Sequence, residues 1–217
     1  MSNKIQAVIW DMDGVILDSA EAHLLAWHRM AQEDELPFTD EQFWATFGQR
    51  NDEIIQHLWG PLAQETMLDM ADRKERYFRE AIRTTAAALP GAIELLSELH
   101  DAHYLQALAS SAPVANIELI SQVLGLNRYL DALVSGETVP RGKPAPDIFL
   151  KAAVTLDIAP ASSLVIEDAV AGVAAAHAAG MRCIAVAGER DLPGLRVAEL
   201  MVASLTEVNL ARIQSMA

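Results

Sequence analysis

Short runs of apolar residues alternate with longer amphipathic stretches over most of this chain. Apolar runs of this kind predict buried strands, and the stretches between them have the spacing of helices that bury one face. The pattern predicts strands at 5–10, 104–109, 131–135, 163–167 and 182–187, with an edge strand at 199–203. It predicts helices between them at 91–101, 113–124, 146–156 and 169–179. Strands and helices that alternate in this way predict an α/β fold, a doubly wound, Rossmann-like parallel sheet covered on both faces.

Residues 19–85 interrupt this alternation, because their pattern is helical throughout. The helices predicted there span 20–34, 40–47, 51–59 and 63–83. Asp18 is expected to cap the first of them, since Glu21 follows three residues later as in a capping box.

The interruption divides the chain into two parts. We predict a Rossmann-like core made of residues 1–14 and 90–217, and a helical insert made of residues 15–89. The expected hinges lie near 14–18 and 85–91, where Pro90-Gly91 marks a boundary. The insert is either a mobile lid or a helical layer packed rigidly on the sheet.

Composition limits what the protein can be. The 217 residues suit one large domain or a domain with an insertion, and the 52% of apolar residues can fill a core. No apolar run is long enough to span a membrane, and the N-terminus lacks the pattern of a signal peptide. The single cysteine, Cys183, cannot form an internal disulfide, so a reducing compartment, the cytoplasm, is expected.

The net charge of the chain also limits the classes of partner that it can bind. A formal net charge of −14 opposes binding to nucleic acid or to an anionic membrane surface. It would also repel a phosphorylated metabolite, so a site for such a ligand would need positive charge of its own.

Two carboxylates follow the first predicted strand. Asp11 and Asp13 are two positions apart at the start of a glycine turn, so in extended geometry both would face one small space. Two anions placed so close repel each other unless a cation lies between them. The pair is either an ordinary turn or a site that holds a divalent metal and combines a nucleophile with an acid/base group.

Three other predicted strands end in polar residues, and the carboxyl ends of strands are where doubly wound sheets bind ligands. Ser110 and Ser111 either cap a helix or offer a hydroxyl and backbone N–H groups to a phosphate. Lys143 precedes Pro144, which restricts its backbone. Glu167 and Asp168 either cap the next helix or bind a cation, because adjacent buried acids are unfavourable without one.

These four segments, in this order, resemble the sequence motifs of the haloacid dehalogenase-like superfamily of aspartyl-phosphate phosphohydrolases and mutases. The resemblance runs from Ile5 to about Leu192. It implies that Asp11 attacks phosphorus, that Asp13 donates and accepts the proton, and that Lys143 neutralises the transferring phosphoryl group. It also implies that the helical insert is a type 1 cap that closes over the site.

The resemblance further assigns the ligands of phosphate and metal. Ser110 would bind phosphate with its hydroxyl, and Ser111 mainly with its backbone. Mg²⁺ would be held by hard oxygen ligands, the preference of this ion. The implied ligands are Asp11, the backbone carbonyl of Asp13, Asp168 and, as a weaker candidate, Glu167.

The insert is expected to select the substrate. Residues 19–23, followed by Trp27, are similar to the β-phosphoglucomutases, in which a histidine at the position of His23 lies near the acid/base Asp. Residues 47–53 resemble a cap loop of sugar phosphatases, and Arg50 in this loop could bind a substrate phosphate or hydroxyl. Arg73, Lys74 and Arg76 form a basic cluster on the longest helix, and we expect one of them to face the site.

The sequence favours a phosphatase over a mutase. The mutase pattern has a basic residue shortly after the serine that corresponds to Ser110, whereas this chain has Ala112-Pro113-Val114 there. The cap arginine of this chain is also displaced by one position from the mutase pattern. Asp13 argues against the dehalogenases and phosphonate-cleaving relatives, which lack that acid. We therefore predict a Mg²⁺-dependent phosphatase of a small phosphorylated metabolite, with a sugar phosphate preferred. The alternatives are a β-phosphoglucomutase-type mutase and a non-catalytic phospho-metabolite binding protein.

Overall fold

A parallel sheet forms the centre of the protein, as the pattern predicts. The computed structural model describes residues 4–189 and 192–216. In this part of the chain the sheet has six strands in the order β3-β2-β1-β4-β5-β6, all parallel. The strands are β1 Ala7–Trp10, β2 Leu105–Ser110, β3 Ala132–Ser135, β4 Ser163–Glu167, β5 Arg182–Val186 and β6 Leu200–Val202.

Helices surround this sheet and form the insert. The helices of the insert are α1 Ala20–Glu33, α2 Asp40–Thr46, α3 Asn51–Trp59 and α4 Gln64–Thr85. The helices of the core are α5 Ala92–Asp101, α6 Val114–Val123, α7 Asp147–Thr155, α8 Val170–Ala178 and α9 Leu210–Ser215. Within the described residues, none of these helices combines the length and apolar character needed to cross a membrane.

Burial on both faces explains why the strands are continuously apolar. Alternate residues of β1 point to opposite faces, so Val8 and Trp10 join one buried cluster while Ala7 and Ile9 join the other. The indole N–H of Trp10 donates to the side chain of Gln106 on β2 at 3.0 Å, which satisfies two buried polar groups. The central strand is therefore fixed on both sides, and the residues that follow it start from a rigid position.

The predicted α/β fold is confirmed, and every predicted strand and helix is present with its ends shifted by two residues or fewer. Helix α9 was not predicted. The expected capping of α1 by Asp18 is wrong. The residue at the cap position is Ser19, which makes no capping bond because its hydroxyl donates to the carboxylate of Asp13 instead.

Two connecting segments join the insert to the core side by side. Leu17 forms an antiparallel bridge with Ala88, and the Leu89 N–H donates to the Ile16 carbonyl at 2.8 Å. Within the insert, α1 packs along α4, and α3 also packs on α4. The long helix α4 also contacts core helix α6, which brings one face of the insert over the carboxyl edge of the sheet.

Candidate active site

The carboxyl ends of the three central strands bring the predicted residues together. Trp10 is in register with Leu108 on β2 and with Ile166 on β4. Asp11 and Glu167 therefore lie next to each other, and Ser110 lies on the opposite side of Asp11. This point lies where the strand order reverses about β1, the usual ligand-binding position of a doubly wound sheet.

Lys143 joins the first and fourth of the predicted segments. Its ammonium group donates to Asp11 Oδ1 and to Glu167 Oε1, each at 2.5 Å, and the lysine is 6% exposed. Burial works to lower the pKa of Lys143, but Asp11 and Glu167 outweigh it and raise that pKa above its usual range. Lys143 is therefore a fixed, permanently charged group beside the Asp11 carboxylate.

Glu167 holds Lys143 in place. Its other oxygen accepts hydrogen bonds from the backbone N–H groups of Asp168 and Ala169, both at 2.7 Å. Gly172 makes room for this carboxylate, since a Cβ atom at that position would lie 1.7 Å from Glu167 Oε1. Both Glu167 oxygens thus have protein donors, which suits orientation of Lys143 better than direct metal binding.

Three carboxylates form a cluster that can hold a metal ion. Oxygens of Asp11, Glu167 and Asp168 lie within 4.8 Å of one another, and all three residues are buried. Burial chiefly raises the pKa of Asp11; Lys143 opposes this, the neighbouring carboxylates add to it, and the pKa ends well above its usual range. Asp11 and Glu167 share the single ammonium group of Lys143, so this one cation cannot neutralise two ionised carboxylates. An all-oxygen donor set with excess negative charge fits a hard divalent cation.

Gly14 leaves room for the Asp168 carboxylate. Its φ is +77°, and a Cβ atom built there would lie 2.1 Å from Asp168 Oδ2. An alanine at this position would therefore be strained in its backbone and would displace the Asp168 carboxylate.

We expect Gly14→Ala to raise the Mg²⁺ concentration needed for half-maximal activity by ~10-fold or more, because second-shell and ligand displacements weaken metal sites by such factors. Gly60→Ala is the matched control, since Gly60 also has a positive φ of +80° but has nothing within 4 Å of a Cβ atom. Titration of activity with Mg²⁺ measures the effect. Equal Mg²⁺ requirements for the two variants would show that Asp168 does not bind the ion.

Asp13 turns away from the carboxylate cluster and toward the insert. Its Oδ1 accepts a hydrogen bond from the Ser19 hydroxyl and lies 3.4 Å from His23 Nε2. Lys74 Nζ lies 2.9 Å from His23 Nδ1. An ammonium group has only donors, so Nδ1 accepts and the imidazole proton is on Nε2, facing Asp13. Burial works to raise the pKa of Asp13, but the hydrogen bonds from His23 and Ser19 outweigh it and the pKa is lowered.

A small pocket lies between the sheet edge and the insert. It has a volume of about 50 Å³, and Asp11, Asp13, Ser110 and Ser111 line its core side. Ser110 is 1% exposed, and its hydroxyl accepts a hydrogen bond from the Ala112 N–H at 3.1 Å. The insert contributes the residues His23, Trp27, Phe43, Thr46, Phe47, Gly48, Gln49, Asn51, Ile54, Lys74 and Glu75.

The predicted basic residues of the insert have different positions. Lys74 lines the pocket and is 2% exposed. Arg73 does not line it, because its guanidinium is held by Asp34 at 2.6 Å and by Asp69 at 2.7 Å on the outside of the insert. Arg73, named with Lys74 as a candidate substrate residue, therefore does not face the pocket, whereas Lys74 does. Gln49 and Asn51 belong to the predicted cap loop 47–53 but were not singled out from it, and Glu75 on α4 was missed.

Arg50 lies at the junction of insert and core and faces a different space. It pairs with Asp52 at 3.1 Å and donates to the backbone carbonyl of Val139. It lines a larger neighbouring cleft of about 500 Å³, which shares Asn51 and Glu75 with the small pocket. This cleft, called the outer cleft below, is also lined by Arg79.

Comparison with known proteins identifies the family to which this chain belongs. Residues 8–186 match the model of the haloacid dehalogenase-like hydrolase family. The chain is 34% identical over 214 residues to β-phosphoglucomutase of Bacillus subtilis (strain 168), covering 95% of this chain and 92% of that protein. It is 32% identical over 216 residues to hexitol phosphatase A of Escherichia coli (strain K12), covering 96% and 95%. A crystal structure of β-phosphoglucomutase from Clostridium difficile has a TM-score of 0.87 at 27% identity, covering 97% of this chain and 96% of that one. This chain belongs to the haloacid dehalogenase-like hydrolase family.

Proposed function

We propose that this protein is a Mg²⁺-dependent phosphatase that hydrolyses a small sugar phosphate through an aspartyl-phosphate. The observation that supports this best is the buried Asp11 carboxylate, held 2.5 Å from a permanently charged lysine and facing a pocket shared with Asp13. A nucleophile beside a fixed cation, with an acid/base group in the same pocket, is the arrangement that covalent phosphoryl transfer requires.

In the proposed first step, a carboxylate oxygen of Asp11 attacks phosphorus and the substrate alkoxide leaves. Lys143 is already charged and buried, so it stabilises the charge of the phosphoryl oxygens without moving. Ser110 and the backbone of Ser111 orient those oxygens at the end of β2. Glu167 acts through Lys143 and is a positioning residue.

Asp13 moves the proton in both steps. Its pKa is low in the empty pocket, so it is ionised there. A phosphate dianion bound beside Asp11 raises the pKa of a neighbouring carboxyl, which lets Asp13 carry a proton to the leaving alkoxide. Once the alcohol has left, the ionised Asp13 accepts a proton from the water that cleaves the aspartyl-phosphate. The Nε2–H of His23 keeps the carboxylate aimed into the pocket.

The carboxylate cluster accounts for the proposed Mg²⁺. Asp11 and Asp168 would hold the ion with the backbone carbonyl of Asp13, and the side chain of Asp13 is directed elsewhere. When bound, Mg²⁺ supplies charge neutralisation at the phosphoryl oxygens.

We also propose that the insert, residues 15–89, opens and closes over the site. The small pocket, at about 50 Å³, is far smaller than the roughly 300 Å³ or more that ligand sites usually offer. A whole sugar phosphate does not fit inside it, so the insert moves to admit the substrate, and the paired segments at Leu17 and Ala88 lie where such a hinge is needed. Closure then excludes bulk water from the aspartyl-phosphate.

The buried, unpaired thiol of Cys183 supports our proposal of a cytoplasmic enzyme.

The similarity to β-phosphoglucomutase keeps a phosphosugar mutase as the second candidate. Phosphate release from a panel of sugar phosphates, with and without Mg²⁺, distinguishes the two. The panel includes β-glucose 1-phosphate with a trace of the 1,6-bisphosphate, assayed in parallel for glucose 6-phosphate. We expect Mg²⁺-dependent phosphate release from a few sugar phosphates. Isomerisation with little free phosphate would instead identify a mutase.

A further inference from the structure

Glu75 is a buried carboxylate to which the proposed chemistry gives no role. It lies on α4, is 4% exposed and lines the same small pocket as Asp11 and Asp13. It also lines the outer cleft. Its carboxylate therefore lies where the pocket for the phosphate meets the space for the rest of the substrate.

Three donors from different elements hold this carboxylate in one orientation. Glu75 Oε1 accepts from Lys74 Nζ at 2.7 Å and from Asn51 Nδ2 at 2.8 Å. Glu75 Oε2 accepts at 2.5 Å from Nδ2 of Asn116, a fully buried residue of core helix α6. An ionised carboxylate accepts about four hydrogen bonds. Among the described residues these three donors leave room for one more, and a substrate hydroxyl is a suitable donor.

The charges of the insert at this end of the site compensate one another. Burial works to raise the pKa of Glu75, but the charge of Lys74 outweighs it and lowers the pKa to about 2, so Glu75 is ionised at neutral pH. Lys74 is already neutralised by Glu75, and its ammonium group also donates to His23 Nδ1. Among the described residues that line the small pocket, the insert thus offers no uncompensated positive charge.

The outer cleft has the same character. Its two guanidinium groups, from Arg50 and Arg79, face four carboxylates. Those carboxylates belong to Asp52, Asp72, Glu75 and Glu137. A neutral, hydroxyl-rich group suits such a surface, whereas a phosphate dianion would be repelled.

We propose that Glu75 is a specificity-determining residue, which accepts a hydrogen bond from a hydroxyl of a polyol monophosphate and repels the second phosphate of a bisphosphate. The inference rests on the proposed phosphatase activity and deepens it, because it selects single-phosphate substrates with a neutral polyol end. Asn116 and Asn51 are positioning residues that aim the carboxylate.

The test measures competition against hydrolysis of p-nitrophenyl phosphate in the presence of Mg²⁺. Glucose 6-phosphate and glucose 1,6-bisphosphate serve as competing ligands, since they differ by one phosphate. Glu75→Gln leaves the charge of Lys74 uncompensated, so the inhibition constant of the bisphosphate relative to that of the monophosphate should fall by ~10-fold or more. Loss of packing alone would weaken both ligands equally and leave this ratio unchanged.

Two variants separate charge from other effects. Glu80→Gln removes the same charge from α4 at an exposed ion pair with Arg29, and should leave the ratio at the wild-type value. The double variant Lys74→Gln/Glu75→Gln removes both charges of the pair, so its ratio should also return to the wild-type value.

A further variant keeps the charge but moves it. Glu75→Asp withdraws the carboxylate from the substrate, so the preference for glucose 6-phosphate over hexyl phosphate should fall by ~10-fold while the bisphosphate stays excluded. The Glu75→Asp variant tests the inference if Glu75→Gln does not fold. The inference is overturned if neither ratio changes in the folded variants. Failure of the wild-type enzyme to release phosphate from any monoester would instead overturn the proposed function.

Discussion

Asp11→Asn is expected to abolish phosphate release while the protein stays folded. An amide is isosteric with the carboxylate but cannot attack phosphorus, so kcat should fall by ~10⁴-fold or more, as when other covalent catalysts lose their nucleophile. The measurement is phosphate release from the best substrate of the panel, with Mg²⁺ present at saturation.

The same substitution should not destabilise the protein in buffer without divalent ions. Burial and the nearby carboxylates raise the pKa of Asp11, so the folded state holds this proton more tightly than the unfolded state does. Such a carboxyl weakens the folded state as the pH rises through its raised pKa. A neutral amide removes this effect, so the free energy of unfolding at pH 7 should be at least that of the wild type. A folded variant that still releases phosphate at a near-normal rate would contradict the mechanism.

The sheet and its edge were predictable because the relevant signals are local. Buried parallel strands are continuously apolar, and the residues that follow them necessarily meet at one edge of the sheet. This rule alone predicts that four of the site residues meet at one edge of the sheet, namely Asp11, Ser110, Glu167 and Asp168. Lys143 needed the superfamily resemblance, because a lysine in a loop is usually solvated and only the fold brings its ammonium group within 2.5 Å of Asp11.

The insert was harder to interpret, since three basic residues lie close together on α4. The stripe of buried positions along α4 indicates which of these basic residues faces the interior. Met70, Lys74, Phe78 and Ile82 recur every four residues, and each is 2% exposed or less. A charged residue at a stripe position is buried, and it needs a partner, which makes it a candidate for the site. This rule selects Lys74, and it excludes Arg73, which lies off the stripe and pairs on the outer surface.

Contacts between the insert and the core had no sequence signal. Asn116 lies on a core helix more than forty residues from Glu75, and nothing in the pattern of α6 relates the two. Arg50 illustrates the same limit, since its loop resembles a substrate-binding segment but its guanidinium donates to the Val139 carbonyl and Arg50 lines the outer cleft. Side-chain direction at a junction of two parts depends on how they dock, which single-sequence patterns do not encode.

Lys143→Met is expected to cause the largest loss of stability among the substitutions considered. Methionine fills the same apolar volume but leaves the buried carboxylates of Asp11 and Glu167 without their shared cation. Removal of one partner from a buried ion pair typically costs about 3–5 kcal/mol. Urea unfolding at pH 7 without divalent ions measures this difference, and Lys151→Met is the matched control. Lys151 is exposed and donates only to the Thr138 carbonyl among described partners, so its loss should cost less than about 0.5 kcal/mol.

The pH dependence of this stability loss tests whether repulsion between the buried carboxylates causes it. Protonation of Asp11 removes one of the charges that Lys143 neutralises, so the stability deficit of Lys143→Met should shrink as the pH falls through the raised pKa of Asp11. Added Mg²⁺ should also reduce the deficit at pH 7, because a cation that binds these carboxylates in the folded state stabilises it by mass action. A deficit that is the same at acidic and neutral pH, with and without Mg²⁺, would mean that Lys143 contributes by packing, and that the charge cluster proposed for phosphoryl transfer is not set up by this lysine.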